Sequence, residues 1–296
     1  MAACRQCPRN CDLDRSRGAL GFCGAPEDFL VARAALHPWE EPFLSGTRGS
    51  GTVFFCGCNL QCVFCQNREI SRGRVGKKIT SDELTAVMLR LRDAGAHNIN
   101  LVTPSHYAEQ LISVLERIKP TLGIPVVYNC GGYEKVETLR RLEGLVDVYL
   151  PDFKYFSSEL SKKYSGASDY FEVASEALAE MLRQQPTPVF DGEEMLRSGV
   201  VVRHLVLPGA RNDSITLLKL LAERFGKDAF LLSLMSQYTP EFADGCAYSE
   251  LHRRVTTFEY ESVLKTVEAL GFEGCIQGRS SASSSYTPDF YEKSFL

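Results

Sequence analysis

Short apolar segments alternate with amphipathic helical patterns about six times from residue 51 onward, and this alternation constrains the fold most strongly. The sequence predicts strands at 52–56, 98–102, 125–129, 146–150, 200–207, 230–235 and 274–277. Helices are predicted over 81–94, 107–118, 134–145, 157–185, 214–225 and 257–270. Such a pattern indicates parallel strands with right-handed crossovers, in either a full or partial (β/α) barrel or an open doubly wound sheet. Functional groups gather at the carboxyl ends of the strands in both.

The chain divides into three predicted parts. Residues 1–50 lack long periodic apolar segments and contain several prolines and glycines, so we expect an irregular cysteine-rich extension. Residues 51–278 hold the α/β core. The serine-rich residues 279–296 are predicted to form a loosely ordered tail. Within the core we expect Ser81 to cap its helix, the helix at 107–118 to stop at Pro120, and 186–198 to be a loop with a short helix.

Charge and hydropathy exclude some classes of protein. The 37 acidic residues outnumber the 33 basic ones, whereas proteins that bind nucleic acid over a large surface are normally basic. The longest apolar runs are far shorter than the roughly 20 residues of a membrane-spanning helix. No apolar signal segment follows Met1. We therefore expect a cytoplasmic protein with no membrane or nucleic-acid partner.

The strongest local pattern is formed by Cys58, Cys62 and Cys65, spaced C-x3-C-x2-C directly after the first core strand. Eight of the eleven cysteines fall in the first 65 residues, and clustered cysteines in a reducing compartment indicate metal ligands. Thiolates suit iron–sulfur and zinc sites. Three ligands would leave one position of a cubane cluster open for a bound molecule. The alternatives are simple burial or a zinc site completed by Cys56, which we interpret as a strand residue.

A second set of cysteines has the spacing C-x2-C-x3-C-x11-C. It consists of Cys4, Cys7, Cys11 and Cys23. Four thiolates could enclose zinc or a second [4Fe-4S] cluster, and the metal would then supply folding energy to a segment without a core of its own. In the alternative interpretation some of these thiols stay free.

Several motifs together resemble the radical S-adenosylmethionine (SAM) superfamily and, within it, the pyruvate formate-lyase activating enzyme-like group. These are the triplet with Phe64 before its last cysteine, Cys4–Cys11, Gly21–Gly24, Asn100–His106, Leu150–Lys154 and Leu234–Tyr238. The resemblance implies a partial (β/α)6 TIM-like barrel and a [4Fe-4S] cluster on Cys58, Cys62 and Cys65. It also implies that the unique iron binds SAM, whose reductive cleavage gives a 5′-deoxyadenosyl radical that abstracts hydrogen.

The resemblance also assigns SAM-binding groups to successive strand ends. By position these are Thr103, Ser105, Asn129, Asp152 and Lys154. The family's usual Gly-Gly-Glu sequence after the second strand is replaced here by Val102-Thr-Pro-Ser. Asp152 and Lys154 could instead form a structural ion pair. Weaker candidates are Arg203, His204, Gln237 and Tyr238.

Three classes of function follow. The first is a radical SAM enzyme, either an activase that acts on a glycyl radical enzyme or an enzyme that modifies a small molecule or peptide. It would need an electron donor such as flavodoxin or ferredoxin. The second is an iron–sulfur electron-transfer or sensor protein without SAM chemistry, and the third is a zinc-dependent nucleic-acid-binding module, which the acidic balance disfavours.

Overall fold

The computed structural model describes residues 4–72, 75–278, 290 and 294–296, so most of the predicted tail at 279–296 lies outside the described residues. The strands are β1 Phe29–His37, β2 Ser50–Phe55, β3 Lys77–Ile79, β4 Ile99–Val102, β5 Val126–Cys130, β6 Val148–Pro151, β7 Val189–Phe190, β8 Leu196–Leu205, β9 Leu231–Met235 and β10 Gly274–Ile276. The helices are α1 Pro42–Ser45, α2 Arg68–Ser71, α3 Ser81–Asp93, α4 Ala108–Leu122, α5 Val136–Arg141, α6 Ser158–Ser165, α7 Tyr170–Gln184, α8 Arg211–Phe225 and α9 Thr257–Leu270.

The strands form one sheet in the order β10-β9-β8-β6-β5-β4-β2-β1-β3, with β7 paired to β8. Neighbours from β2 through β4, β5, β6, β8 and β9 to β10 are parallel. β1 and β3 extend the β2 edge in antiparallel pairing. The sheet does not close on itself. This architecture confirms the predicted partial (β/α)6 barrel.

The residues of each parallel strand alternate between two environments, as the pleat of a strand requires. In β4, Ile99 and Leu101 are fully buried in the large apolar cluster that the helices share with the sheet. Asn100 and Val102 lie on the other face, toward the barrel interior, where Asn100 donates to Glu40. Several interior positions of the other strands are also polar. These are Asn129 in β5, Arg203 in β8 and Ser233 in β9.

The predicted irregular extension contains a strand that the sequence pattern did not reveal. β1 runs antiparallel to β2 from Val31 to His37, with one irregularity near its start. Its sequence, FLVARAALH, is rich in alanine and has few β-branched residues, so local preference for a strand is weak. Pairing with β2 stabilises it instead. The description as irregular therefore applies to the residues before Phe29.

Leu44 in α1 fills the barrel interior from the end opposite the cysteine loop. It is fully buried in a separate apolar cluster with Val127, Val148, Leu150, Leu196, Val201 and Leu231. Because these side chains come from β5, β6, β8 and β9, a residue of the amino-terminal extension completes the packing of the core.

Leu44→Ala is expected to lower the free energy of unfolding by about 2–5 kcal/mol, because it leaves a cavity among strands that cannot collapse fully. Leu20→Ala provides the control, since Leu20 is 39% exposed and its truncation leaves no cavity. Urea unfolding of both variants measures the difference. Equal midpoints for the two variants would show that Leu44 does not hold the interior together.

Three local predictions were wrong. Thr80, not Ser81, caps α3, through a reciprocal pair of hydrogen bonds with Glu83. α4 continues through Pro120 and ends at Gly123, which adopts a left-handed conformation. Residues 189–198 contain the antiparallel pair of β7 and β8 in place of a short helix. The first two errors lie at helix ends, where one residue decides the cap, and the third is an error of element type.

Within the described residues, we find no helix with the length and apolar character needed to cross a membrane.

Candidate functional site

A cavity of about 160 Å³ lies at the carboxyl ends of the parallel strands. One wall is the loop after β2, which contributes Cys58, Cys62 and Cys65. The other walls come from the ends of β4, β5, β6 and β8 and the segment after β9. They include Thr103, Asn129, Gly131, Asp152, Lys154, Arg203, Gln237 and Tyr238. The structure thus brings residues from distant parts of the sequence to one place.

The three thiols of the loop lie close to one another in a shielded environment. Burial raises the pKa of Cys58 to about 12, and its neighbours Cys62 and Cys65 add to that shift. Cys58 accepts a hydrogen bond from the Leu60 N–H at 3.3 Å, and Cys62 accepts one from the Ser165 hydroxyl at 3.0 Å. N–H and O–H donors of this kind stabilise bound thiolates. The set therefore fits an iron–sulfur cluster with three protein ligands.

Two further cysteines near the loop have other partners. Cys130 at the end of β5 also lines the cavity, but burial holds the pKa of its thiol well above the ordinary value, and the nearby carboxyl of Glu134 adds to that shift. Cys56 is fully buried in β2's continuation and donates to the Val75 carbonyl at 3.1 Å. Cys56 is not among the residues that line the cavity. Neither Cys130 nor Cys56 is therefore indicated as a fourth ligand beside the three cysteines of the loop.

Of the residues that the resemblance assigns to SAM, four line the cavity and one does not. Thr103, Asn129, Asp152 and Lys154 face it. Ser105 lies in a short 3-10 helix, is fully buried and donates to Glu134. That helix turns the Ser105 side chain toward the Glu134 carboxyl, so the structure does not bring Ser105 to the cavity.

A chain of charged side chains, each 16–19% exposed, crosses the floor of the cavity. Lys154 Nζ lies 2.6 Å from Asp152 Oδ2, and Arg203 Nε lies 2.8 Å from Asp152 Oδ1. Burial acts to raise the pKa of Asp152, but the charges of Arg203 and Lys154 outweigh it, and that pKa lies below its ordinary value. Arg203 also donates to the Asn129 side chain at 2.6 Å. The ion pair predicted as an alternative for Asp152 and Lys154 is present, in residues that also face the cavity.

Aromatic rings surround the loop. Phe64 is 7% exposed, and its ring meets those of Tyr155, Tyr164 and Tyr238 at 6.5, 6.1 and 6.3 Å between centroids. The three contacts are edge-to-face, the arrangement that aromatic quadrupoles favour. This packing excludes water from the side of the cavity next to Cys65.

Two residues beside the cavity hold backbone conformations that side chains rarely adopt. Gln61 has φ 52° and Thr103 has φ 58°. For a β-branched residue such as Thr103 this conformation costs about 1–3 kcal/mol. The Thr103 N–H is fixed by the Asn129 carbonyl at 2.8 Å, and strain of this kind is concentrated at functional sites.

Gly132 allows the loop after β5 to approach the end of β6. It has φ 79°, and a Cβ there would overlap the backbone oxygen of Asp152 and approach the Tyr170 hydroxyl to 2.8 Å. Gly132→Ala is expected to cost several times more stability than Gly123→Ala. Gly123 has φ 73° with open space around it, so it isolates the backbone strain. Thermal unfolding of both variants measures the difference; equal losses would mean that the contact with Asp152 adjusts freely.

The four amino-terminal cysteines form a separate group. Cys7 and Cys23 are buried, and burial raises the pKa of each, with the thiol of Cys4 as a further cause. Cys23 also interacts with Cys11. Within the described residues, no group of three or more His, Cys, Asp or Glu side chains, the three thiols of the loop included, is arranged to hold a single metal ion. A cubane cluster differs from a single ion, because each of its thiolates binds a different iron. All eleven cysteines are free thiols.

The extension is fastened to the core beside the cysteine loop. Arg9 donates to the carbonyl of Asn59 in that loop at 2.8 Å and to the carbonyls of Ser165 and Gly166 at the end of α6. Gln6 donates to the His106 carbonyl at 2.9 Å. The extension and the loop therefore share one packed environment.

A larger cavity of about 510 Å³ adjoins the first and contains groups that the sequence did not single out. Glu40 and Glu41, from the segment between β1 and α1, lie in it with Arg203. The signal available in the sequence was an acidic pair next to Trp39 and Pro42, in a segment with no recognised strand before it. Because the sequence did not reveal β1, it gave no reason to place Glu40 and Glu41 inside the barrel.

Comparison with known proteins identifies a family. A sequence profile of the radical SAM superfamily matches residues 52–220. The uncharacterized protein MJ0674 of Methanocaldococcus jannaschii is 31% identical over 276 residues, which cover 90% of this chain and 74% of that protein.

Two solved structures share the fold. Streptococcus suis SuiB bound to S-adenosylmethionine aligns with a TM-score of 0.51 and 13% identity, over 75% of this chain and 48% of SuiB. A radical SAM methyltransferase from Sphaerobacter thermophilus aligns with a TM-score of 0.50 and 17% identity, over 79% of this chain and 69% of that one. This chain thus spans about half the length of SuiB.

Proposed function

The chain belongs to the radical SAM superfamily, and from that membership we propose that it is an enzyme in which Cys58, Cys62 and Cys65 hold a [4Fe-4S] cluster. SAM would lie against that cluster in the cavity that the three thiols line. When bound, the cluster and SAM would together supply a 5′-deoxyadenosyl radical that abstracts hydrogen from a substrate.

The observation that carries this proposal is the grouping of three thiols on one cavity wall, while Cys130, in a different strand, lies next to the carboxyl of Glu134. A site with three thiolates and an open position is suited to chemistry on a bound molecule. A closed set of four is typical of structural or electron-transfer sites. The grouping therefore favours an enzyme over an iron–sulfur protein that only transfers or senses electrons.

The chain's own residues would orient and shield the bound molecules. Lys154 lies near Cys62 and Cys65, and its positive charge opposes the rise that burial causes in the pKa of Cys65. Asp152 fixes Lys154 and Arg203 in place, so both cations can meet a carboxylate without a further change of rotamer. Thr103 and Asn129 offer polar atoms at neighbouring strand ends. Phe64 keeps water from the reacting side of the cavity.

We further propose that the enzyme is an activase of a glycyl radical enzyme, reduced by a flavodoxin or ferredoxin in the cytoplasm. The motif resemblance described above supports this substrate and this donor. Radical modification of a small molecule or peptide is the alternative. The adjoining cavity of about 510 Å³ is large enough to hold a portion of either kind of substrate.

The test is anaerobic reconstitution with iron and sulfide, followed by dithionite and SAM. We expect 5′-deoxyadenosine and methionine as products, detected by mass spectrometry. A fully loaded cluster that gives neither product would favour the electron-transfer or sensor alternative. An anaerobic pull-down, with the same assay on each recovered protein, then tests the proposed activase.

We also propose that residues 1–50 form an extension to a catalytic unit at 51–278, and that Cys4, Cys7, Cys11 and Cys23 bind a second metal. The mutual interaction of these thiols supports it. Metal analysis of the reconstituted protein distinguishes the two candidates. About four irons with stoichiometric zinc per chain would indicate a zinc site, and about eight irons a second cluster. Cys7→Ser should lose only the second metal.

A further inference from the structure

The larger cavity lies beside the one that holds the three cysteines. It is bounded by β10 at one end of the sheet and by residues 37–46, which follow β1. Asn129, Arg203 and Gln237 line both cavities, so a molecule in the larger one lies next to the proposed SAM site. Trp39 and Ile276 line it and are 57% and 51% exposed, which leaves an apolar approach from solvent.

The interior of this cavity is acidic. Glu40 accepts from the Asn100 amide at 2.8 Å and lies 3.5 Å from Arg203. Arg203 in turn is held at 2.8 Å by Asp152, which also takes Lys154. Together with Glu41, these groups comprise three carboxyl groups and two cations. The carboxyl groups are those of Glu40, Glu41 and Asp152, and the cations are Arg203 and Lys154. One carboxyl group is therefore left without a cation of its own.

Glu41 is that group, because Arg203 influences it only from a distance and forms its ion pairs with Glu40 and Asp152. It is 7% exposed and lines the cavity beside Ser233, and within the part of the chain that the structure describes its Oε2 has no hydrogen-bond partner. Burial raises the pKa of Glu41 most strongly and Glu40 adds to the shift, while Arg203 opposes it. A buried carboxyl group with an unpaired oxygen costs stability, whereas a cation bound beside it would restore the missing partner.

Other kinds of occupant fit less well. An anion in the larger cavity would meet the carboxyl groups of Glu40 and Glu41 together, while Arg203 already pairs with Glu40 and Asp152 and faces the proposed SAM site as well. A purely apolar occupant would leave Glu41 Oε2 buried without a partner. An elongated cation satisfies both regions, because its stem can contact Trp39 and Ile276 while its charged end reaches the acidic pair.

We propose that this cavity is the substrate site, and that Glu41, with Glu40, recognises a substrate bearing a protonated amine or guanidinium group. This inference rests on the proposed function, because it places the substrate next to the SAM site. The cation comes either from a basic side chain of a peptide or protein, or from a free small amine. Either source would present the same kind of cationic group to Glu41.

The experiment compares matched probes on the full-length protein reconstituted with cluster and SAM. Ligand-observed NMR titrations measure the dissociation constants of Ac-Gly-Lys-Gly-NH2 and its norleucine counterpart, and of pentylamine and pentanol. We expect the charged member of at least one pair to bind about tenfold more tightly, the size of one charge-assisted contact. Preference within the peptide pair alone indicates a basic side chain, and preference within the other pair alone a small amine.

The variant Glu41→Gln keeps the shape of the side chain and removes its charge, so the preference should vanish. Glu261→Gln, at an exposed position on α9, should retain it. Equal binding of charged and neutral probes to the wild type overturns the inference, as does a preference that survives Glu41→Gln. Formation of 5′-deoxyadenosine is read separately: its absence beside an intact preference counts against the proposed function alone.

Discussion

Alanine at Cys58, Cys62 or Cys65 is expected to abolish both cluster binding and the formation of 5′-deoxyadenosine. Each of these thiols faces the same cavity, and among the described residues the one other thiol that lines it, Cys130, is 2% exposed and lies next to Glu134. A cubane with two protein ligands would not persist through purification. Iron analysis, visible absorption and the product assay measure the loss.

Cys56→Ala is the matched control, because it removes a thiol two residues from Cys58. Cys56 is buried and donates to Val75, so its loss should leave a small cavity and retain most of the activity. If Cys56→Ala lost the cluster and Cys58→Ala kept it, the assignment of ligands would be wrong.

The second large effect is expected on stability. Asp152→Ala should lower the free energy of unfolding by about 3–5 kcal/mol, because it removes the carboxylate shared by Lys154 and Arg203, whose side chains are only 19% and 16% exposed. Asp82→Ala is the control. Its partner Arg117 is half exposed and Asp82 almost fully exposed, so the change should be small. Urea unfolding of the two variants provides the comparison.

This effect should depend on pH with a defined sign. Because the folded pKa of Asp152 lies below its ordinary value, its stabilising contribution is present above the unfolded pKa of about 3.9. The contribution is then lost as the pH falls through the folded pKa. The difference between wild type and Asp152→Ala should shrink in acid; a constant difference would assign the loss to packing instead.

Local spacing made part of the site predictable. Cys58, Cys62 and Cys65 lie within one loop, so their convergence needs no knowledge of the fold. The alternation of apolar segments also predicted the parallel strands, whose ends carry Asn129 and Asp152. Each of these inferences depends on contacts close in sequence or on the general geometry of parallel sheets.

The remaining features of the site depended on contacts between residues that lie far apart in the sequence. Glu40 reaches Arg203 only because β1 pairs with β2 and delivers the following residues into the barrel. Ser105 was predicted to reach the cavity because it follows a strand, but a 3-10 turn directs it to Glu134. One turn of backbone geometry decides such a position, and composition does not determine it.

The single guanidinium of Arg9 ties together three segments: the extension, the carbonyl of Asn59 next to Cys58, and the end of α6, where Ser165 donates to Cys62. Loss of order near the amino terminus would thus disturb Cys58 and Cys62, two of the proposed cluster ligands, together. A truncated protein that lacks its first two dozen residues should be read as one with a loosened cofactor loop, even if its barrel folds normally.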